Sequence, residues 1–256
     1  MSDERPGQDI IEGRNPVLEA LRAGRPISKL LLSRDIERHS VIAQILYQAR
    51  ESGVLVEYLD PRLIQKLSPT GHSQGVLAMV AAAEYTTLDG LLARSRSLGE
   101  SPLYVLLDGI EDPHNLGAVL RTADAAGVHG VVIPQRRAVG LTAAVARASA
   151  GAVEYVPVAR VSNMAQAMAR LGEEGVWTVG VDMSGGADYT QTDYRQPTAL
   201  VIGAEGKGLS HLVKERCDLL VSIPMKGRIA SLNASVAAAL VMYEAARQRG
   251  PRAKSM

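Results

Sequence analysis

The segment Ser231-Leu232-Asn233-Ala234-Ser235 alternates small polar side chains with apolar ones at the start of a predicted apolar helix. Hydroxyl and amide groups at such a position normally cap the helix by accepting hydrogen bonds from its free backbone N–H groups. Capping accounts for one of these residues, but not for three polar groups within five positions. We therefore expect Ser231 and Asn233 to contribute to a polar site as well as to a helix terminus.

A second candidate segment, DGIEDPHNLGAVLR, follows a predicted strand and ends at Arg121. Open α/β sheets usually bind ligands at the carboxyl ends of their strands. Asn115 is predicted to cap the helix, and Gly117 leaves one flank bare. Arg121, one turn later on that flank, could then lean back toward the helix N-terminus, where anions bind. The alternative is that Arg121 forms a surface ion pair with Glu111 or Asp112.

The third candidate segment is the glycine loop at 203–208, GAEGKG, which follows the predicted strand ALVIG. Glycines after a buried strand let the backbone approach a ligand closely. The spacing matches neither the dinucleotide fingerprint nor a Walker A loop. Glu205 places a carboxylate where a phosphate would bind, which favours a polar or cationic ligand. An ordinary β-to-α turn is the alternative, and Lys207 could reach RNA phosphate or simply face solvent.

The elements that would position these segments form two predicted domains. Residues 1–82 read as a small α/β domain, 83–101 as a linker, and 102–256 as a second domain. In the second domain near-continuous apolar strands alternate with helices. That pattern indicates a mostly parallel sheet covered on both faces.

Composition narrows the class of protein further. The chain has 256 residues, a net charge of +1 and 4% aromatic residues with no Phe. Base recognition by many stacked rings is therefore not expected, and RNA binding would rest on phosphate contacts and shape. A single cysteine, Cys217, and no long apolar run favour the cytoplasm. The basic tail RQRGPRAK is either a solvated end or an RNA contact.

Three stretches together resemble the motifs of the SpoU/TrmH family of RNA ribose 2′-O-methyltransferases, in the SPOUT class. They are DPHNLGAVLRTADAAGVHGVV, LVIGAEGKGL and IPMKGRIASLNASVAAAL, in that order. The first domain, with SQGVLA near its end, resembles the RNA-binding domain, similar to ribosomal protein L30e, that precedes the catalytic domain in many members. The match is closest to the branch that methylates a guanosine of large-subunit (23S) rRNA.

The resemblance implies a fold, a cofactor and a set of site residues. It implies a C-terminal trefoil knot, a homodimer formed through the C-terminal domain, and S-adenosylmethionine as methyl donor with S-adenosylhomocysteine as product. No metal is implied. Cofactor-binding positions carried over from the family are Gly203, Glu205, Gly206, Ile223, Met225 and Leu232. Catalytic positions carried over are Arg121, Asn115, Glu205, Ser231 and Asn233.

The role of Arg121 stays open between two hypotheses, because a guanidinium holds its proton tightly. Either Arg121 acts as a base in its neutral form, or it holds a phosphate and the ribose 2′-oxygen while the proton leaves elsewhere. Two other functions are also open: a non-catalytic RNA-binding protein of the same fold, and a methyltransferase that acts on the tRNA D-loop guanosine.

Overall fold

A computed structural model of the protein describes residues 8–37, 39–81, 84–228 and 231–250. In chain order the elements are β1 Gln8–Glu12, α1 Arg14–Arg22, β2 Ile27–Ser33, α2 Ser40–Glu51, β3 Val56–Leu59, α3 Pro61–Leu67, β4 Val76–Ala81, α4 Leu88–Leu98, β5 Leu103–Asp108, α5 Pro113–Ala125, β6 Gly130–Pro134, α6 Ala143–Ala148, β7 Val158–Val161, α7 Met164–Glu173, β8 Trp177–Val181, β9 Ala187–Asp188, β10 Thr198–Gly203, α8 His211–Arg216, β11 Leu219–Ser222 and α9 Ala234–Arg249. Short 3₁₀ helices occupy Ala152–Glu154 and Tyr189–Gln191. Within the described ranges, no helix combines the length and the apolar character that crossing a membrane requires.

The chain divides into two compact units whose limits differ from the predicted domains. The smaller unit contains the described residues up to Glu84 together with Gly140–Tyr155, and the larger unit contains the rest. The sequence analysis assigned Gly140–Tyr155 to the second domain. In the structure α6 instead packs against β1, and Arg25 forms a largely buried ion pair of 2.6 Å with Glu154. These contacts hold the inserted segment in the smaller unit.

The predicted linker at 83–101 is not a connecting segment over most of its length. Within it α4 is a helix of the larger unit, and Leu91 and Leu92 on that helix are buried in the unit's core. The Thr87 hydroxyl accepts a hydrogen bond from the Gly90 N–H at 3.0 Å and caps the helix, while Gly99 ends it in the left-handed conformation. Burial of the two leucines explains why the segment is ordered as part of the unit.

The smaller unit is built on a four-stranded mixed sheet in the order β1-β4-β2-β3. Only β2 and β3 run parallel. Its core is formed by apolar side chains of α1, α2 and the sheet, including Val17, Leu30, Ile42 and Val76, all fully or almost fully buried. Burial of these side chains supplies the main stabilisation of the unit.

Glu12, at the end of β1, is a fully buried carboxylate in this unit. It accepts hydrogen bonds from the hydroxyls of Ser68 and Thr70 and from the Thr70 N–H. Burial alone would raise the pKa of Glu12, but these hydrogen bonds outweigh it and the pKa is lowered. The carboxylate thereby ties the loop that follows α3 to β1.

The larger unit confirms the predicted α/β class with a parallel sheet. Its seven strands lie in the order β7-β6-β5-β10-β8-β11-β9, and every neighbouring pair is parallel. The central strand β10 is buried along its whole length, as expected for a strand covered on both faces. The predicted trefoil knot stays a prediction.

This topology brings the three candidate segments together. Strand β10 lies between β5 and β8, with Gly203 in register with Asp108 at the end of β5. Helix α9 packs against α5 and β10. The segments after β5, after β10 and before α9 therefore meet at the carboxyl edge of the sheet, where open parallel sheets bind ligands.

Candidate active site

The glycine loop after β10 folds back on itself. The Ala204 N–H donates to the Gly208 carbonyl at 3.1 Å and the Gly208 N–H donates to the Ala204 carbonyl at 2.8 Å, so residues 205–207 form an exposed tip. A Cβ on Gly203 would lie 2.1 Å from the backbone carbon of Gly208. Glycine is required at 203 because the loop's own backbone fills the space of a side chain. The sequence analysis had attributed the glycines to close approach of a ligand.

A cavity of about 630 Å³, here called the first cavity, lies beside this loop. Its volume falls in the range of small-molecule sites. The segment between β11 and α9 supplies apolar side chains to its wall. All six residues that the sequence analysis assigned to the cofactor line it: Gly203, Glu205, Gly206, Ile223, Met225 and Leu232.

Asn233 connects the three candidate segments. Its side-chain amide donates to Asn115 Oδ1 at 2.9 Å and to Glu205 Oε2 at 3.1 Å. Its Oδ1 accepts from the backbone N–H groups of Ser235 at 2.9 Å and Val236 at 3.4 Å, which makes it the N-cap of α9. Asn115, Glu205 and Asn233, here called the Asn233 cluster, are therefore held together by the amide nitrogen of Asn233, while its oxygen caps α9.

Asn115 is not the N-cap that the sequence analysis predicted. Helix α5 begins at Pro113, and Asp112 caps it by accepting from the His114 N–H at 2.8 Å. An aspartate followed by proline at the first helical position is a strong helix start. Because Asp112 takes the capping role, the side chain of Asn115 is left to accept a hydrogen bond from Asn233.

Ser231 and Arg121 lie outside the Asn233 cluster. Ser231 lines the first cavity beside Leu232 and makes no hydrogen bond to the cluster among the described residues. Arg121 is exposed on α5, and it makes no hydrogen bond or ion pair with any residue that the structure describes. The alternative of a surface ion pair with Glu111 or Asp112 is therefore wrong, and the guanidinium is available to a ligand.

Asp182 is a cavity residue that the sequence analysis missed. It follows β8 and lines the first cavity together with Lys214. Its Oδ1 accepts from Lys214 Nζ at 2.8 Å and from the Ser184 N–H at 2.9 Å. Burial opposes ionisation, but these hydrogen bonds outweigh it and lower the pKa of Asp182. The signal that could have found it is an acidic residue directly after the apolar stretch WTVGV.

Cys217, the only cysteine of the chain, does not supply a nucleophile. Burial, together with nearby carboxylates such as Asp218, raises the pKa of its thiol to about 12. A thiol that stays protonated at neutral pH is a poor nucleophile. The chemistry of this edge of the sheet is therefore left to the amides, carboxylates and cations described above.

Comparison with models of protein families matches both parts of the chain. Residues 10–86 match the family described as RNA 2′-O ribose methyltransferase substrate binding, and residues 102–243 match the SpoU rRNA methylase family. The chain belongs to the SpoU rRNA methylase family. It is a methyltransferase of the SPOUT type preceded by a substrate-binding domain, as the sequence motifs indicated.

Relatives named for the TrmH family match nearly the full length of this chain. YacO of Bacillus subtilis, whose name assigns it to the TrmH family of tRNA/rRNA methyltransferases, is 47% identical over 95% of this chain and 97% of its own length. A protein of Staphylococcus saprophyticus named for the same family is 45% identical over 94% of this chain and 96% of its own length.

Solved structures of SpoU proteins have the same fold. AviRb from Streptomyces viridochromogenes, a SpoU methyltransferase solved in complex with its cofactor AdoMet, gives a TM-score of 0.80 at 32% identity and covers 96% of this chain and 92% of its own. An AdoMet-bound rRNA methyltransferase from Sinorhizobium meliloti gives 0.76 at 29% identity, with 94% and 87% covered. A tRNA-modifying TrmH/SpoU enzyme of A. aeolicus gives 0.53 at 32% identity, with 63% and 84% covered.

Proposed function

We propose that this SpoU methyltransferase transfers a methyl group from S-adenosylmethionine to the ribose 2′-hydroxyl of a guanosine in large-subunit (23S) rRNA, as RlmB, which it resembles, does. The observation that carries the proposal is the Asn233 cluster beside the first cavity. Glu205 belongs to both, because it accepts from Asn233 and lines the cavity. A donor in the cavity would therefore lie next to the residues proposed to orient the ribose.

The residues of the first cavity fit S-adenosylmethionine, which supplies the methyl group as an already activated sulfonium. Ile223, Met225 and Leu232 offer apolar walls for an adenine ring, and the backbone of the glycine loop offers hydrogen-bonding groups. Glu205 and Asp182 place carboxylates on a cavity that would hold a cation.

Arg121 is proposed to hold the ribose 2′-oxygen and a neighbouring phosphate. Its guanidinium is exposed and uncommitted among the described residues, so it can donate to both groups at once. The proton of the hydroxyl would then leave by another route, because a guanidinium is a poor base. In-line positioning of an activated methyl group supplies much of the rate in such a reaction.

Arg121→Lys tests that role. We expect methyl transfer to fall by about 100-fold, the cost typical of a displaced transition-state donor, because an ammonium cannot donate to two acceptors in the guanidinium's planar geometry. The affinity for RNA and the unfolding curve should stay close to wild type. Single-turnover transfer of tritiated methyl groups measures the rate of methyl transfer. A wild-type rate in Arg121→Lys would show that Arg121 has no catalytic role.

A homodimer formed through α5 and α9 is part of the proposal. An open groove on this face, with a volume of about 720 Å³, is lined by Ala118, Val236, Leu240 and Tyr243. Three of these side chains are large and exposed: Val236 by 46%, Leu240 by 38% and Tyr243 by 54%. Exposed apolar patches of this kind mark interaction sites. Light scattering of the purified protein should give twice the 27.2 kDa mass of the chain.

Ribosomal RNA is favoured over tRNA by the extent of the structural matches. The rRNA methyltransferase of Sinorhizobium meliloti covers 94% of this chain. The A. aeolicus tRNA-modifying enzyme covers 63%, and a structure described for 2-OH methylation of C/U34 on tRNA covers 58%. An rRNA substrate would also place the protein in the cytoplasm.

The decisive experiment measures transfer of tritium from methyl-labelled S-adenosylmethionine to 23S rRNA and to tRNA. We expect incorporation into rRNA alone, at a guanosine that loses its 2′-O-methyl group in a strain lacking the gene. Incorporation into tRNA alone would show that the substrate is tRNA, while the proposed methyl transfer to a ribose would stand. RNA binding without any transfer would make the protein a non-catalytic RNA-binding protein of this fold.

A further inference from the structure

A second cavity, of about 920 Å³, lies at the carboxyl ends of β5, β6 and β10 within the larger unit. It shares residues Ala204, Glu205, Lys207 and Gly208 with the first cavity, so the glycine loop is a common wall of the two. Asn115 also lines the second cavity. Asn115 and Glu205 of the Asn233 cluster are therefore accessible from the second cavity, across the glycine loop from the proposed methyl donor.

Two arginines line the second cavity on the β6 side. Arg136 and Arg137 are exposed, and neither makes a hydrogen bond or ion pair with any residue that the structure describes. The backbone of Arg137 has a φ of 58°, in the left-handed region that is uncommon for residues other than glycine. Such a conformation costs free energy locally, and conformations of this kind cluster at ligand-binding sites.

Four carboxylates also line this cavity: Asp108 at the end of β5, Glu111 and Asp112 in the loop before α5, and Glu205 on the glycine loop. Asp108 accepts from the Ser210 N–H at 2.7 Å, and Asp112 accepts from the His114 N–H at 2.8 Å. Both lie on the β5 side of the cavity, and β5 is paired directly with β6, whose end carries the two arginines. A fitting ligand therefore has an anionic group at one end and N–H or O–H donors at the other, as a nucleotide within an RNA strand has.

We propose that Arg136 and Arg137 bind a backbone phosphate of the RNA strand whose methylated ribose reaches Asn115 and Glu205. The assignment rests on the proposed function, because it takes the glycine loop as the wall between methyl donor and RNA. Guanidinium groups suit this role since their planar donors match phosphate oxygens in bidentate geometry. Lys207, exposed on the shared loop tip, adds a third positive charge to the cavity.

The test compares two double variants that remove the same charge. Arg136→Ala/Arg137→Ala removes the proposed site. Arg94→Ala/Arg216→Ala removes two exposed arginines of the same unit that line neither cavity and have no side-chain partner among the described residues. Binding of a fluorescein-labelled transcript of the peptidyl-transferase region of 23S rRNA is measured by anisotropy between about 50 and 200 mM salt.

Loss of the contact to this one phosphate should make the plot of log affinity against log salt shallower by about 0.7 for single-stranded RNA. The KM for the transcript should rise at least tenfold, with kcat and the KM for S-adenosylmethionine within twofold of wild type. The control pair should change none of these. Arg136→Lys/Arg137→Lys should keep the wild-type slope, because the charges remain.

Equal slopes for the Arg136/Arg137 and control Ala pairs would overturn the inference. The inference would also be overturned if the Arg136→Lys/Arg137→Lys pair lost RNA affinity as the alanine pair does. The loss would then come from a changed loop geometry and not from the missing positive charges. If the wild type binds the transcript but methylates no RNA, the proposed function fails, while a changed slope still establishes a phosphate site. If the wild type binds no RNA at any salt, both are overturned.

Discussion

Asn233 both caps α9 and bonds to Asn115 and Glu205, and substitutions can separate these two roles. Asn233→Ala removes the cap of α9 and both bonds to the Asn233 cluster. The free energy of unfolding should therefore fall by about 1–2 kcal/mol. Methyl transfer should fall by about 100-fold, because Asn115 and Glu205 lose the donor that positions them. Urea unfolding and single-turnover transfer measure the two losses on the same preparation.

Asn233→Asp is the matched variant, because it keeps a capping oxygen for α9 while it replaces the amide donor with a carboxylate oxygen that faces Asn115 and Glu205. Its stability should stay within about 1 kcal/mol of wild type, while transfer should be lost as in Asn233→Ala. If the aspartate variant transfers methyl groups normally, Asn233 is only a helix cap. The bonds to Asn115 and Glu205 would then have no part in the reaction.

Local spacing could find some of these residues and not others. It placed Asn233 at a helix start, which the structure bears out. It could not show that Asn233 meets Asn115, because the two are 118 positions apart in the chain. It also predicted Asn115 as the cap of α5, a position that Asp112 takes in the structure; both residue types favour it. Only the resemblance grouped Asn115, Glu205 and Asn233, and their catalytic roles stay predictions.

Among the elements, the loop after α3 depends on a single buried carboxylate of β1. Glu12→Gln keeps the size of the side chain but loses the charge-assisted hydrogen bonds from Ser68 and Thr70. The free energy of unfolding of the smaller unit should fall by about 1–3 kcal/mol at pH 7. Glu57→Gln, which removes an exposed 2.9 Å ion pair with Lys29 in the same unit, should cost less than about 1 kcal/mol.

The pH dependence of Glu12→Gln follows from the lowered pKa of Glu12. The contribution of a carboxylate with a lowered pKa is present above its unfolded pKa and is lost as the pH falls through its folded pKa. The difference between wild type and Glu12→Gln should therefore be largest near neutral pH and shrink below about pH 4. A difference that stays constant down to pH 3 would show that packing and not charge is responsible.

Elements with strong hydrophobic patterns were predictable, and weakly patterned ones were not. The apolar runs of β5 and β10 identified buried parallel strands, which the structure confirms. Helix α4 was assigned to the linker because its sequence, LDGLLARSRSL, shows only a weak helical pattern interrupted by glycine and serine. The signals that could have found it were the Thr87 cap and Gly99 at its end.

At the scale of the whole chain, contacts between side chains far apart in the sequence determine which unit a segment joins, and local sequence patterns do not reveal these contacts. Arg25 and Glu154 are 129 positions apart, so no local pattern could assign the inserted segment to the smaller unit. The basic tail was predicted to be a solvated end or an RNA contact. In the structure Gln248 and Arg249 are held by residues elsewhere in the larger unit, whereas Arg247 pairs with Glu244 on the same helix. Residues 251–254 of the tail lie outside the described residues, and an RNA contact by the tail stays a prediction.

Arg249 joins the end of α9 to the starts of two central strands. Its guanidinium donates to the carbonyls of Tyr194 at 2.7 Å, Gln196 at 2.7 Å and Pro102 at 3.0 Å, and also to that of Ser101. Burial lowers the pKa of Arg249 to about 10, which leaves it cationic at neutral pH. Two of the three candidate segments follow β5 and β10, and the third precedes α9. The Arg249 contacts therefore help to fix the relative positions of the elements that carry the site.

Arg249→Ala should therefore lower the free energy of unfolding of the larger unit by about 2–4 kcal/mol, since several charge-assisted hydrogen bonds are lost together. Arg249→Lys should recover only part of it, because one ammonium cannot reach carbonyls spread over four residues. Arg247→Ala, which removes only a surface pair with Glu244, should stay within about 1 kcal/mol of wild type. Equal stabilities of the Arg249→Ala and Arg247→Ala variants in urea unfolding would show that α9 is held by its apolar packing alone.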